Sequence, residues 1–178
     1  MPDQVEQVRE DMLVMLARQG DRKALESLAA RWRPRHYAHA RRLAGSHEAA
    51  ADAVQDAWAA IPGGLRRLRE PSRFAAWSYS IVTRKCIDQG RRRARQPIMA
   101  GEADDQAAAS SDPGDAMDLR RAMAALPPDQ RAAIALFYGE DMTTSEIAEA
   151  LHLPQGTVKT RLFHARRFLR QFLKGDGP

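Results

Sequence analysis

Only one cysteine, Cys86, occurs in the 178 residues. A lone thiol leaves no internal disulfide and no Cys-rich zinc site, which suits a reducing cytosol. Aromatic residues make up just 6% of the chain, while Ala, Arg, Leu, Glu and Gln dominate, so any core is modest. No uninterrupted apolar run approaches membrane-spanning length. The N-terminal MPDQVEQVRE has no basic stretch leading into an apolar one, so no secretory signal is visible. The expectation is a cytoplasmic chain with no membrane insertion. β-Branched alternating runs are missing, which argues against a sheet. A Gly-rich phosphate loop and a nucleophile elbow are missing too, so no catalytic residue and no cofactor are expected. His36 and His39, spaced i, i+3 on an Arg-rich helix without a nearby carboxylate pair, read as surface histidines rather than metal ligands, and no metal site is expected.

Two further absences concern charge. Residues 97–118 hold six acids and no base, whereas residues 1–96 hold 19 Lys/Arg against 11 Asp/Glu and residues 119–178 hold nine against six. Two basic blocks joined by an acidic segment suggest two nucleic-acid-facing modules on a tether. The segment GEADDQAAASSDPGDA has almost no large apolar residue and cannot offset its ordering entropy by burial. The predicted fold is therefore all-α: two small helical domains, 1–96 and 117–178, joined by a flexible acidic linker over 97–116. Helices are expected near 5–19, 21–44, 47–61, 72–94, 116–125, 128–138, 144–151 and 155–173. Asp21, Ser46 and Ser72 are the candidate caps of the second to fourth, and Pro128 suits the first turn of the sixth. Pro34 should kink or split the second helix, and Pro62-Gly63-Gly64 should end the third.

The tail is the most telling segment. Thr144 or Ser145 can cap a short helix carrying Ile147, Ala148 and Leu151 on one face; His152-Leu153-Pro154 breaks it, and Gln155-Gly156-Thr157 starts another. On that second helix Val158, Leu162, Ala165, Leu169 and Phe172 form one inward stripe. Thr160, Phe163, His164 and Arg167 face the other way, flanked by Thr157, Lys159, Arg166 and Arg170. From Gln155 to Lys174 there are six Lys/Arg and no acid. A purely cationic helix entered through a tight turn has the form of a helix-turn-helix reading a DNA major groove. Phe163 in the middle of that polar face needs a covering surface, such as a base edge or a protein.

The first domain carries two more features. Val54, Trp58 and Ile61 point to one side of the third helix, while Asp52, Gln55 and Asp56 form an acidic-polar ridge on the other, suited to a basic protein surface. The fourth helix places Phe74, Trp77, Tyr79 and Ile81 ahead of Arg84, Lys85, Arg91, Arg92, Arg93 and Arg95. Rings leading into cations suit single-stranded DNA, where bases stack and phosphates are tracked. Spacing with Phe74 and Ile81 places Trp77 at least half in the core, leaving Tyr79 the more exposed of the two.

Together AADAVQDAW (50–58), FAAWSYSIVTRKCIDQGRRRAR (74–95), LPPDQRAAIALFYGEDMTTSEIAEAL (126–151) and GTVKTRLFHARRFLR (156–170) resemble the extracytoplasmic-function (ECF) family of bacterial RNA polymerase sigma factors, in the family's order and with its acidic linker. The resemblance implies a sigma factor that binds core polymerase through the β′ clamp and β flap and directs promoter-specific initiation. Asp52, Gln55 and Asp56 match the polymerase-docking helix. Trp77, Tyr79, Arg84 and Asp88 match the helix that opens and reads the −10 element, with Lys85, Arg91 and Arg92 alongside. The loop bearing Arg66, Arg67, Arg69 and Arg73 matches the one that captures a flipped-out base. Lys159, Thr160, Phe163 and His164 match positions reading the −35 element, with Thr157, Arg166 and Arg167 beside them. An anti-sigma partner is typical of the family. His152 stands where the family's turn often has Gly, which implies an altered turn. The alternative is a helix-turn-helix regulator acting without core polymerase, which needs neither the acidic ridge nor the aromatic-basic helix.

Overall fold

The computed structural model describes residues 2–95 and 113–174. All regular structure among them is helical: α1 Pro2–Arg18, α2 Arg22–Leu43, α3 His47–Leu65, α4 Phe74–Arg95, α5 Pro113–Ala125, α6 Pro128–Gly139, α7 Thr144–Leu151 and α8 Gln155–Leu173, with a single 3-10 turn at Pro71–Arg73 before α4. The linker expected over 97–116 lies outside the described residues, apart from the backbone of 113–116, which opens α5.

Local chemistry sets most boundaries. The Asp21 side chain accepts from the Ala24 amide, and the Ser46 side chain from the Ala49 amide, so both expected caps are present. Ser72 is not a cap: it falls inside the 3-10 turn, and α4 begins at Phe74. Neither helix is split at its proline. α2 runs unbroken through Pro34, because Pro34 and Ala30, whose carbonyl loses its donor, are both exposed and water can satisfy that carbonyl. α3 continues through Pro62-Gly63-Gly64 to Leu65. Ile61 and Leu65 are 0% and 1% exposed, and burying each contributes roughly 1.5–3 kcal/mol, together comparable with the roughly 1 kcal/mol that each helical glycine costs and the roughly 3 kcal/mol of an interior proline.

In the first half α1–α4 enclose Val14, Leu28, Trp32, Trp58, Ile61, Phe74 and Val82. Within this core lies a polar seam that the sequence did not suggest. His36 and His39 are fully buried, not on the surface. His36 Nε2 meets Ser78 Oγ at 3.1 Å, Trp58 Nε1 donates to His36 Nδ1 at 3.1 Å, and His39 Nε2 meets Thr83 Oγ1 at 2.8 Å. Burial holds both imidazoles neutral, lowering their pKa to about 3, with Arg35 adding to the effect at His36 and His36 and Arg42 at His39. Three helices are thus joined by a hydrogen-bonded seam that demands uncharged histidines.

The second half closes α5–α8 around Leu126, Ala133, Leu136, Ile147, Val158, Leu162 and Ala165. Alanine at so many contact positions lets the helices approach closely. Arg131 ties the parts together, donating to Ala124 O at 2.6 Å, Leu126 O at 2.9 Å and, across to the first half, Leu43 O at 3.2 Å. These acceptors are orphan carbonyls at the ends of α5 and α2, where a cation is favoured. The two halves are in contact: α4 packs on α7, and α2 on α6. Side-chain bonds cross this junction among the described residues.

Candidate nucleic-acid and polymerase interfaces

The helix-turn-helix forms as its patterning implies, with one shift at its start. Thr143, rather than Thr144 or Ser145, caps α7, and its side chain and that of Glu146 form a reciprocal capping box. His152 ends α7 at φ 53°, in the left-handed region, and its amide bonds back to Ala148 O and Glu149 O. Occupying the turn position where a glycine would be unstrained, it sets the angle at which α8 leaves.

On α8 Val158, Leu162 and Ala165 are buried, while Leu169 and Phe172 are half-buried. Lys159, Thr160, Phe163, His164, Arg166 and Arg167 are exposed, and Thr157 is half-buried. Phe163 is 61% exposed, its ring set edge-on to His164 at 5.5 Å. The cations on this helix divide by contact. Arg161 bonds Asp129 at 3.0 Å, and Arg166 stacks over Phe137 and Tyr138 at 5.0 and 5.5 Å. Stacking fixes Arg166 on the edge of the face without consuming its charge. Thr160 Oγ1 donates to Gly156 O at 3.0 Å, leaving its lone pairs free for an incoming donor.

The α3 ridge is equally plain. Asp52, Gln55 and Asp56 are exposed, and Val54, Trp58 and Ile61 are buried on the opposite side. Its boundary toward α4 is tight: a Cβ on Gly64 would fall 2.7 Å from Trp77 Cζ2, so the indole rests against bare backbone.

Around α4 the placement is mixed. Arg84, Arg91 and Arg92 are exposed, while Trp77, Lys85 and Asp88 are half-buried. Arg66, Arg67 and Arg69 are exposed on the short connection after α3, whose carbonyls at Leu68 and Arg69 accept from Arg18 at 3.1 and 3.3 Å. Arg73 is exposed but ion-paired, to Glu70 at 2.7 Å and to Glu149 of α7 at 3.3 Å. Tyr79 reverses its expected position. It is 2% exposed, with its ring 5.8, 5.1 and 5.2 Å from those of Trp32, His36 and His39, and its hydroxyl donates to Glu140. Burial and the Glu140 carboxylate push its pKa up, so it stays a donor. Arg42, Glu140 and Arg18, which shape these surfaces, were not among the residues singled out from the sequence. No local pattern marks them, since each acts on a partner about 50 or more residues away.

Residues 28–96 match the family described as Sigma-70 region 2, and residues 116–169 match Sigma-70, region 4. The ECF RNA polymerase sigma-E factor of Escherichia coli K12 is 30% identical over 177 residues, covering 90% of this chain and 92% of that one. This chain belongs to the ECF family of sigma-70 factors. The ECF sigma factor SigE of Mycolicibacterium smegmatis is likewise 30% identical over 86% of this chain, which spans 64% of that protein's length. Among solved structures, the sigma factor RpoE in complex with the anti-sigma factor NepR from Bartonella quintana is similar at a TM-score of 0.69 and 25% identity, over 85% of this chain and 98% of that one. As an ECF sigma factor the chain directs transcription initiation, a transcription factor's role rather than that of a catalytic enzyme. Among the described residues no helix is long and apolar enough to cross a membrane.

Proposed function

We propose that this ECF sigma factor binds core RNA polymerase through the α3 ridge and promoter DNA through α4 and α8, in the bacterial cytoplasm. One observation carries the reading: a single chain exposes an acidic-polar ridge at Asp52, Gln55 and Asp56 and, on α8, a polar face without a carboxylate. The first suits a basic protein surface and repels DNA; the second suits phosphate and repels basic protein.

On α8, Phe163, Thr160 and His164 are placed to meet base edges of the −35 element, with Lys159 and Arg167 at phosphates and Thr157 and Arg166 at the rim. Arg84, Lys85, Arg91 and Arg92 track the −10 strand, beside Trp77 and Asp88. Arg66, Arg67, Arg69 and Arg73 surround the place for a flipped base. Bond making belongs to the polymerase, and the chain supplies position and charge. The RpoE–NepR likeness supports an anti-sigma partner for this chain as well.

Co-purification with core polymerase, followed by transcription from a library of promoter fragments, tests the reading. The sigma factor gives stable holoenzyme and fragment-selective initiation. Selective duplex binding with no affinity for core would instead identify a regulator acting without polymerase.

A further inference from the structure

The junction between the halves is built around one carboxylate. The Glu140 side chain is only 8% exposed. It follows α6 directly and accepts from two donors of the other half: Arg42 Nη1 at 2.6 Å and the Tyr79 hydroxyl. The guanidinium lies over the bare backbone of the residue before Glu140, where a Cβ on Gly139 would lie 2.5 Å from Arg42 Nη1. Asp141, next in sequence, takes a left-handed φ of 52° that turns the chain into α7. Nearby, Glu149 of α7 pairs with Arg73 at 3.3 Å. Beside this contact a cleft of about 630 Å³ separates the halves, lined by Glu6, Glu10, Arg35, Arg42, Tyr79 and Glu140.

Carboxylates of the second half therefore occupy three donors of the first at its boundary: the Arg42 guanidinium, the Tyr79 hydroxyl and one arm of the Arg73 guanidinium, whose Nε keeps Glu70. Charged and phenolic donors of this kind are phosphate ligands when nothing else holds them. Meanwhile the α3 ridge and the outward face of α8 stay exposed.

We infer that this arrangement is a closed state in which Glu140, assisted by Glu149, stands in for DNA phosphates on Arg42, Tyr79 and Arg73, and that opening it frees a phosphate-binding site for the promoter strand. Arg42 thereby gains a role that its position at the end of α2 does not suggest. The inference rests on α4 being a DNA-binding element. Because the docking ridge is free in the closed state, polymerase can engage before the halves separate. The closed form then suppresses binding of the promoter strand at this site while leaving α8 free, since an apparent affinity falls with the fraction of competent molecules.

Full-length wild type, Glu140→Gln, Glu140→Ala and Arg42→Ala decide it, with small-angle scattering for the separation of the halves, circular dichroism for retained helix and labelled oligo(dT) as the probe. Losing a buried charge-assisted bond shifts such an equilibrium by roughly ten-fold. Both Glu140 variants should expand and bind oligo(dT) roughly ten-fold more tightly. Arg42→Ala should expand equally but show a smaller gain than the Glu140 variants, because one of the three phosphate donors is gone. Helical Glu140 variants that stay compact, or that expand without gaining affinity, overturn the inference. Failure of the wild type to bind core polymerase, with the Glu140 gain intact, would remove the polymerase-docking reading and leave the closed state standing. Core binding with no change in the Glu140 variants would do the reverse.

Discussion

Trp77 lies against Gly64 so closely that a methyl group on Gly64 would come within 2.7 Å of the indole Cζ2, whereas Gly63, one residue earlier on the same helix, has nothing within 4 Å of its Cβ position. The neighbouring glycines therefore differ in kind. Gly64 is a packing surface for an indole of α4; Gly63 is only a weak helix residue.

Alanine should separate them. Gly63→Ala is expected to stabilise the chain by about 0.5–1 kcal/mol through helix propensity. Gly64→Ala forces the indole to move, and overpacking costs of about 1–3 kcal/mol more than cancel the same propensity gain. Urea denaturation followed by circular dichroism reads both. Equal stabilisation by the two variants would mean that Trp77 does not need the bare backbone.

Much of this surface was legible in advance, and the exceptions share a cause. The α8 stripe obeys a helical period, so Val158, Leu162 and Ala165 could be placed inward and Phe163 outward from the sequence alone. The α3 ridge was legible for the same reason. Tyr79 was not: its cover comes from Glu140, 61 residues away, and no local period encodes that. His36 and His39 looked like surface residues because arginines surround them in sequence, yet their partners Ser78 and Thr83 lie 42 and 44 residues on. Reading an end to α3 at Pro62-Gly63-Gly64 gave weight to propensity where burial of Ile61 and Leu65 prevails.

The histidine seam gives the first domain an acid limit. Both imidazoles have folded pKa values near 3, below the ordinary 6.5, so between these values the unfolded chain binds more protons than the folded one. Stability is therefore complete above about pH 6.5 and falls as pH drops toward 3. The slope reaches on the order of 1.4 kcal/mol per pH unit for each histidine. Glu10, its pKa raised chiefly by burial, works in the opposite sense and softens the fall. Replacing His39 by Gln should flatten the dependence measured by denaturation between pH 7 and pH 5. An unchanged slope would mean that His39 is not neutral in the folded chain.

His152 gives a prediction of opposite sign. A β-carbon at φ 53° is strained, and left-handed backbone costs a non-glycine residue roughly 1–2 kcal/mol. Part of that is returned as unfolded-state entropy when glycine is introduced, so His152→Gly should stabilise the second domain by up to about 1 kcal/mol. Calorimetry would show it as a raised melting temperature. A lowered one would reveal an imidazole contact that holds the turn.

On α8, base reading and phosphate holding should come apart. Phe163→Ala is expected to cost about 1–3 kcal/mol on a selected −35 duplex and little on a scrambled one. Arg167→Ala should weaken both equally and reduce the salt dependence by about one phosphate contact. Fluorescence anisotropy at several salt concentrations measures the two quantities together. Equal losses on both duplexes for Phe163→Ala would assign that ring to a protein partner.

The central claim, that this chain works as a polymerase subunit docked by its α3 ridge, meets its most direct test in the affinity of core RNA polymerase for wild type and for the double variant Asp52→Lys, Asp56→Lys. Both aspartates are exposed and neither bonds another residue of the chain among the described contacts, so charge reversal should leave the helical content unchanged. The predicted result is tight holoenzyme formation by the wild type and its loss in the variant, together with loss of promoter-selective initiation. Near-native binding by a correctly folded double variant would contradict the account.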